Sequence, residues 1–224
     1  MNKYIKYILL PFFIVAIYLL NPFNIFLSGN EMTFICAVIF CFVIEYFIQK
    51  AKNGEEIYMR PIAAIQAMEE AVGRATEMGT SVLFVPGISG LDEIDTISGL
   101  IILGHVSGMT AEYESKLHVP VAVPIVMETA KEACKESYLK KGRPDLYRDD
   151  MVHYVTDDQF AYAAGVNGIM LREKPAAVFF QGKFYAESLI LAETGNSIGA
   201  IQIAGTGSSS QIPFFVTACD YTLI

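Results

Sequence analysis

Several residue patterns that define common sites are missing from this 224-residue sequence. It has four cysteines and three histidines but no CxxC pair, which argues against a structural metal site and fits a reducing compartment. The lack of GxxxxGK[ST] excludes a Walker-type nucleotide site, and the lack of G-x-S-x-G leaves a hydrolase triad without support. We therefore predict no metal ligands and no catalytic residues, and the sequence names no cofactor.

Basic residues are scarce in most of the chain. The chain has 16 basic and 24 acidic residues in total, of which four lysines and two glutamates lie within residues 1–52. The remainder has 12 basic and 22 acidic residues, a net charge of about −10. A surface of this sign repels the phosphates of nucleic acids and the headgroups of anionic lipids. Nucleic acid is therefore excluded as a partner.

Two apolar runs stand at the N-terminus. Residues 7–27 carry no charge, and residues 32–48 carry only Glu45. Both runs reach the lower limit of about 17 residues for a membrane-spanning helix. A cleavable signal peptide is disfavoured because no small-x-small cleavage site is present and a second run follows directly. We predict a transmembrane helical hairpin over residues 1–50, with the lipid bilayer as a partner.

The orientation of this hairpin follows from the lysines that flank it. Lys3 and Lys6 precede the first run, and Lys50 and Lys52 follow the second. Because positive residues stay on the cytoplasmic side, we predict a protein of the cell membrane with both termini in the cytoplasm.

Beyond the hairpin the chain is predicted to hold a linker with a connecting helix (residues 51–80) and then a cytoplasmic α/β domain (residues 81–224). Apolar strands alternate with helices, which indicates a mainly parallel sheet covered on both faces. We expect a Rossmann-like or flavodoxin-like three-layer sandwich. The predicted strands are 81–87, 119–125, 151–156, 176–181 and 200–205, with a sixth beginning at the final "YTLI"; the predicted helices are 92–116, 126–141, 158–172, 184–194 and 208–219.

Helix starts are well marked, and the segment Thr156-Asp157-Asp158-Gln159 has the pattern of a capping box. In such a box a threonine hydroxyl and a glutamine side chain bind otherwise unpaired backbone N–H groups.

The stretch "GTGSSSQ" (205–211) is the strongest candidate for a binding loop. Its glycines free the backbone, its serines donate hydrogen bonds, and a helix start follows. Loops at the carboxyl ends of other strands would lie beside it, because ligands bind at that edge of an open α/β sheet. The candidate ligand-binding residues are Gly87, Ser89, Gly90, Asp157, Lys183, Gly205, Thr206, Gly207, Ser208 and Ser209.

Two alternatives stay open at this edge. Glycine and serine are also favoured in a strand-to-helix turn that binds nothing. Acidic residues form a second group there, as an acid–base pair or a divalent-cation site, although first-turn carboxylates also complement the helix dipole. This second group is Asp92, Glu93, Asp157, Asp158, Glu187 and Glu193.

Three long segments resemble a family of prokaryotic membrane proteins known only as a domain of unknown function. They are "RPIAAIQAMEEAVGRATEMGTSVLFVPG", "TDDQFAYAAGVNGIMLREKPAA" and "AESLILAETGNSIGAIQIAGTGSSSQIPFFVTACDYTLI", so the resemblance covers residues 60–224. It implies an integral membrane protein with a large cytoplasmic α/β domain, and it implies no activity. Family members continue past the position of Ile224, so we expect a longer native chain.

Three functions are consistent with these observations. The first is a membrane-anchored assembly or scaffold protein that is non-catalytic and forms a homo-oligomer or joins a membrane protein complex. The second is a membrane-tethered sensor that binds a nucleotide or another phosphorylated metabolite at the strand-edge loops. The third is an enzyme of unrecognised type acting at the same edge.

Overall fold

The computed structural model of the chain describes residues 31–53 and 62–223. The chain divides into two compact units, Met1–Arg60 and Pro61–Ile224. In the first unit the described part is helix α1 (Glu31–Lys52), which contains the second predicted span. The first predicted span, residues 7–27, lies outside the described residues, so the transmembrane hairpin stays a prediction.

The second unit alternates strands with helices, as the sequence predicts. Its strands are β1 (Val82–Gly87), β2 (Leu117–Val121), β3 (Val152–Tyr154), β4 (Ala177–Lys183), β5 (Ile201–Gly205) and β6 (Tyr221–Leu223). Its helices are α2 (Ala63–Glu77), α3 (Ile94–Glu112), α4 (Pro124–Lys140), α5 (Gln159–Glu173), α6 (Glu187–Ser197) and α7 (Ile212–Ala218), and two short 3-10 turns (Pro144–Leu146 and Asp149–Met151) precede β3.

The six strands form one sheet in the order β3-β2-β1-β4-β5-β6, and every pair of neighbours is parallel. This is the strand order of Rossmann folds. The sequence prediction of an α/β fold with a mainly parallel sheet is therefore confirmed, including the sixth strand at the end of the chain.

Alternate residues along β1 explain why its sequence is apolar throughout. Val82 and Phe84 belong to one hydrophobic core cluster, whereas Leu83 and Val85 belong to the other. Successive strand residues point to opposite faces, so both sets of β1 side chains are buried against a helix layer. All four side chains are at most 1% exposed.

The two clusters assign the helices to the two faces of the sheet. Helices α2, α3 and α4 supply the first cluster through residues such as Val72, Leu103 and Val126. Helices α5, α6 and α7 supply the second through residues such as Val166 and Leu191. The result is a three-layer sandwich in which α2, the predicted connecting helix, is part of the core.

Helix α3 is long and apolar enough, by length and composition, to cross a membrane. However, 56% of its apolar segment is buried inside the structure, as expected of a core helix in a folded domain. It packs against α4, and a β-carbon added at Gly104 would make an ordinary contact of 3.5 Å with the Ser137 hydroxyl oxygen.

Two boundaries differ from the predicted ones for local reasons. The strand expected at 119–125 ends at Val121, because Pro124 lacks the N–H of a sheet ladder and instead opens α4. The helix expected at 208–219 begins only at Ile212, after a turn. The other helices and strands lie within a few residues of their predicted positions.

The predicted capping box is wrong. Asp158, not Thr156, is the N-cap of α5, and its carboxylate accepts the Ala161 N–H at 2.8 Å. The Thr156 hydroxyl instead accepts the N–H of Asp158 itself (3.3 Å), which holds the cap residue. Gln159 does not turn back to the cap, because its side-chain amide donates to Glu187.

Candidate functional site

The carboxyl ends of β1 and β4 meet at the centre of the sheet. The chain leaves β1 into α3 on one face and leaves β4 into α6 on the other. In open α/β sheets such a divergence of connections creates the crevice in which ligands bind. The fold therefore favours this edge as the position of a ligand-binding site.

At this point two glycines bring the strands into backbone contact. Gly182 has φ +145, and a β-carbon there would lie 2.9 Å from the Pro86 carbonyl carbon and overlap its oxygen. Gly87 has φ +81, and a β-carbon there would lie 2.9 Å from the Lys183 nitrogen. The predicted site residue Gly87 thus serves close packing between strands, and the crevice is narrow where it begins.

The loop after β5 is held by a carboxylate. The Gly207 N–H donates to Oδ2 of Asp95 at 3.2 Å, and a β-carbon at Gly207 would lie 2.5 Å from the other oxygen, Oδ1. Asp95 lies in the first turn of α3, so this bond joins the start of α3 to a loop from a distant part of the chain. A phosphate at this N–H would face a negative charge already in place.

The hydroxyl groups of the same loop bind one another or nearby backbone. Thr206 Oγ1 accepts the Ser208 N–H at 3.2 Å, and the Ser208 and Ser210 hydroxyl oxygens are 3.4 Å apart. The Ser188 hydroxyl donates to Oε1 of Gln211 at 2.7 Å. Ser209 is exposed, and the helix that follows has seven residues. This loop has the hydrogen bonding of a self-contained turn.

Lys183 supplies the positive charge at this edge, and it is paired. Its Nζ lies 2.5 Å from Oε1 of Glu93 and 5.8 Å from the centroid of the Tyr185 ring. The hydrogen bond from the ammonium to Glu93 raises the pKa of Lys183. An incoming anion would have to compete with the Glu93 carboxylate for this side chain.

Glu187 is a fully buried carboxylate at the start of α6. One of its oxygens accepts the Gln159 side-chain amide at 2.5 Å, and the other accepts the Tyr185 N–H at 2.9 Å. These bonds replace the water that burial removes. Burial, and to a lesser degree the charge of Glu187, raise the pKa of Tyr162.

A cleft of about 190 Å³ lies at the ends of β4, β5 and β6 on the α3 side. Of the predicted site residues it brings together Gly205, Thr206 and Gly207, and the other lining residues include Asp95, Gln181 and Leu223. The volume is below the ~300 Å³ of ordinary ligand pockets. The cleft has a carboxylate and an amide but no cationic side chain among its lining residues, so its chemistry suits hydroxyl or amine donors.

The other predicted site residues do not line this cleft. Asp157 is exposed at the start of α5, and Ser89 and Gly90 lie in the loop after β1, where the Ser89 carbonyl accepts the Thr96 hydroxyl at 3.4 Å. Among the described residues no cluster of three or more His, Cys, Asp or Glu side chains is placed to hold a metal.

Sequence reasoning missed Asp95, which joins the start of α3 to the loop after β5. The feature of the sequence that could have identified Asp95 is its position two residues after Glu93, in the first turn of a helix that follows a buried strand. Its partner Gly207 lies 112 residues further along the chain.

One family matches the chain, a family described as "Domain of unknown function (DUF6754)", over residues 22–224. Searches of curated proteins and of solved structures found no match. Because the match covers most of its length, the chain belongs to the DUF6754 family.

Proposed function

We propose that this protein is an integral membrane protein that carries its α/β unit on the cytoplasmic face and assembles there with further copies of itself. The proposed prokaryotic source and membrane setting rest on the family resemblance of the sequence and on its apolar runs. The observation that carries the proposal is the exposed apolar surface of the described residues.

Helix α1 provides the first part of this surface. Its 22 residues extend about 33 Å at 1.5 Å per residue, which matches a hydrocarbon core of ~30 Å. Ile39 and Phe40 are 56% and 67% exposed, and Val43 and Ile44 are both 43% exposed. Tyr46, Phe47 and Ile48, three consecutive residues, are 47%, 48% and 47% exposed, so the apolar surface covers more than half of the helix circumference. Lipid is the solvent that suits such a helix.

The charges near α1 support a cytoplasmic position for the α/β unit. Lys50 and Lys52 lie in the last turn of α1, and positive residues at the end of a span favour the cytoplasmic side. From residue 61 onward the sequence has 20 acidic and 11 basic residues. The net charge of −9 repels an anionic inner leaflet, so the unit is expected to extend into the cytoplasm.

The pairing of polar groups at the sheet edge supports an assembly role over catalysis. The Lys183 ammonium is bound to Glu93, and the Glu187 carboxylate is bound to Gln159. A catalytic acid, base or nucleophile must face an open site that a substrate can enter. Lys183 and Glu187 instead connect one helix or loop to the next.

A fractionation and mass experiment tests this proposal. We expect the chain to remain in the membrane pellet after alkaline carbonate washing, and to have the mass of two or more chains when purified in mild detergent. Recovery in the soluble fraction would overturn the membrane anchor. A monomer in mild detergent at every concentration tested would overturn the assembly role.

The cleft beside Asp95 favours one second candidate, a membrane-tethered sensor. Its carboxylate and the lack of a cationic lining residue make a small hydroxyl- or amine-bearing ligand a better fit than the phosphorylated metabolite that the sequence suggested. A ligand present at about 100 times its Kd stabilises the protein by about 2.7 kcal/mol. A thermal-shift screen of polyols, nucleosides and small amines tests this candidate, with Asp95→Ala as the variant expected to lose any shift. Shifts caused by phosphorylated compounds alone would contradict it.

A further inference from the structure

The cleft at the ends of β4, β5 and β6 contains a buried amide of fixed orientation. Gln181 follows Ala177 and Phe179 on the face of β4 that the first core cluster covers, and it is only 1% exposed. Its Nε2 donates to the Ile203 carbonyl at 3.1 Å. Because a carbonyl only accepts hydrogen bonds, the nitrogen of the amide must face Ile203 and the oxygen must face away from it.

The Gln181 oxygen, Oε1, is an acceptor to which none of the described residues donates a hydrogen bond. It lies beside Gly205, and both residues line the cleft. A β-carbon at Gly205 would overlap this oxygen and lie 3.2 Å from Cδ of Gln181, so only glycine fits there. A buried polar group is costly to leave without a partner. Oε1 is therefore expected to accept a hydrogen bond from what enters the cleft.

Asp95 brings a negative charge to the same cleft. Its Oδ2 accepts the Gly207 N–H at 3.2 Å, whereas its Oδ1 has no hydrogen-bond partner among the described residues. Ser98, exposed and about one turn further along α3, adds a hydroxyl group to the lining. The described residues that line the cleft include no basic side chain, so nothing in the lining balances the charge of Asp95.

The remainder of the cleft is apolar. Ile102 and Leu223 provide its hydrophobic side chains. The volume of about 190 Å³ corresponds to the liquid volume of roughly six water molecules at ~30 Å³ each. A ligand that suits this cleft has one polar, hydrogen-donating end and a short hydrocarbon body.

We infer that the cleft binds a small primary aliphatic amine in its protonated form. The ammonium group binds Asp95 and Gln181, and its carbon chain lies in the apolar remainder of the cleft. A primary ammonium has three N–H donors and no acceptor, which match the carboxylate, amide and hydroxyl oxygens. The inference rests on the sensor candidate of the proposed function and adds the class of its ligand.

Other ligands match this lining less well. A neutral alcohol brings one donor and no positive charge, so it forms weaker hydrogen bonds with Asp95 than a cation does. An inorganic cation leaves the contact area of Ile102 and Leu223 unused. A phosphorylated compound is repelled by Asp95 and by the net charge of −9 from residue 61 onward, which in turn attracts a cation.

Calorimetric titration of the full chain in mild detergent tests this inference, with blank titrations into detergent alone. The ligand is n-butylammonium chloride. The comparison ligands are 1-butanol, which has the same size without the charge, and potassium chloride, which has the charge without the carbon chain. We expect a Kd for n-butylammonium at least about tenfold lower than for either comparison ligand. Equal affinity for either of them, or no binding of n-butylammonium, would overturn the inference.

A pair of charge-removing variants locates the site. Asp95→Asn removes the charge and keeps a side-chain oxygen for the Gly207 N–H, and it is expected to weaken n-butylammonium binding at least about tenfold. Glu112→Gln is the matched control, because it removes the same charge from the last residue of α3, about 25 Å further along the helix. It should leave the Kd unchanged, and equal losses in both variants would overturn the site. If Asp95→Asn fails to fold, the comparison of ligands on the wild-type chain decides alone.

The outcomes also separate this inference from the functions proposed above. If polyols or nucleosides stabilise the chain and n-butylammonium does not bind, the amine site fails and the sensor candidate stands. If no compound binds, both fail. The membrane anchor and the assembly role depend on the fractionation and mass measurements and are unaffected by either result.

Discussion

The close approach of β1 and β4 at Gly182 predicts a graded series of glycine-to-alanine substitutions. In Gly182→Ala the new methyl group would overlap the Pro86 carbonyl oxygen and lie 2.9 Å from its carbon, at a φ of +145 that side chains rarely adopt. The backbone strain alone costs about 1–3 kcal/mol. Because the neighbour is backbone rather than a flexible side chain, the strands must also separate, and we expect a total loss of roughly 3–5 kcal/mol.

Substitutions at two other glycines distinguish the cost of backbone strain from the cost of steric overlap. Gly199 has φ +74 but no atom within 4 Å of an added β-carbon, so Gly199→Ala should cost only about 1–2 kcal/mol. Gly73 lies inside α2 with open space around it, and Gly73→Ala should stabilise by about 0.5–1 kcal/mol.

The assay is urea unfolding of the full chain in mild detergent, followed by far-ultraviolet circular dichroism. The expected order of stability is Gly73→Ala, wild type, Gly199→Ala and Gly182→Ala, from highest to lowest. Equal losses for Gly182→Ala and Gly199→Ala would refute the backbone contact at the centre of the sheet, and with it the conclusion that the crevice is narrow there.

Three further predictions concern one helix cap and two buried ionisable side chains. Asp158→Ala should destabilise by about 1 kcal/mol, a typical N-cap loss, and Thr156→Ala by less; urea midpoints that rank the two in the opposite order would restore the predicted capping box. Burial raises the pKa of the Cys134 thiol to about 12, so the folded chain keeps a proton that the unfolded chain loses. The free energy of unfolding should therefore fall as the pH rises from about 9 toward 12. The Cys134→Ala variant should show a shallower fall, and an unchanged slope would contradict the assignment. Burial also lowers the pKa of His118, so the unfolded chain binds this proton more readily than the folded chain. The free energy of unfolding should therefore fall as the pH decreases below the ordinary pKa of histidine. A His118→Gln variant with the same acid dependence would refute this explanation.

The sheet was predictable because its residues carry the signal locally. The strands β1 and β4 each begin with four consecutive apolar residues, and this pattern occurs where both faces of a parallel sheet are covered. Gly79, with φ +65, follows the end of α2, where a glycine is the usual residue. Such signals need no knowledge of distant residues.

The candidate site was less predictable because its contacts join distant residues. Lys183 and Glu93 are 90 residues apart, and Gly207 and Asp95 are 112 apart. From the sequence, Lys183 and the Gly207 loop have the composition of an anion site, and only the folded chain shows that carboxylates already occupy both. The capping box failed for a local reason, since Thr156 and Asp158 are both good caps and only the course of the backbone decides between them.

The central claim, a membrane-anchored chain that assembles with itself, is tested most directly by counting chains in the native membrane. With one fluorophore on each full-length chain at low expression, stepwise photobleaching should show membrane-bound spots that bleach in two steps or in a higher fixed number. Spots that bleach in a single step, after correction for unlabelled chains, or fluorescence that stays in the cytoplasm, would contradict the account.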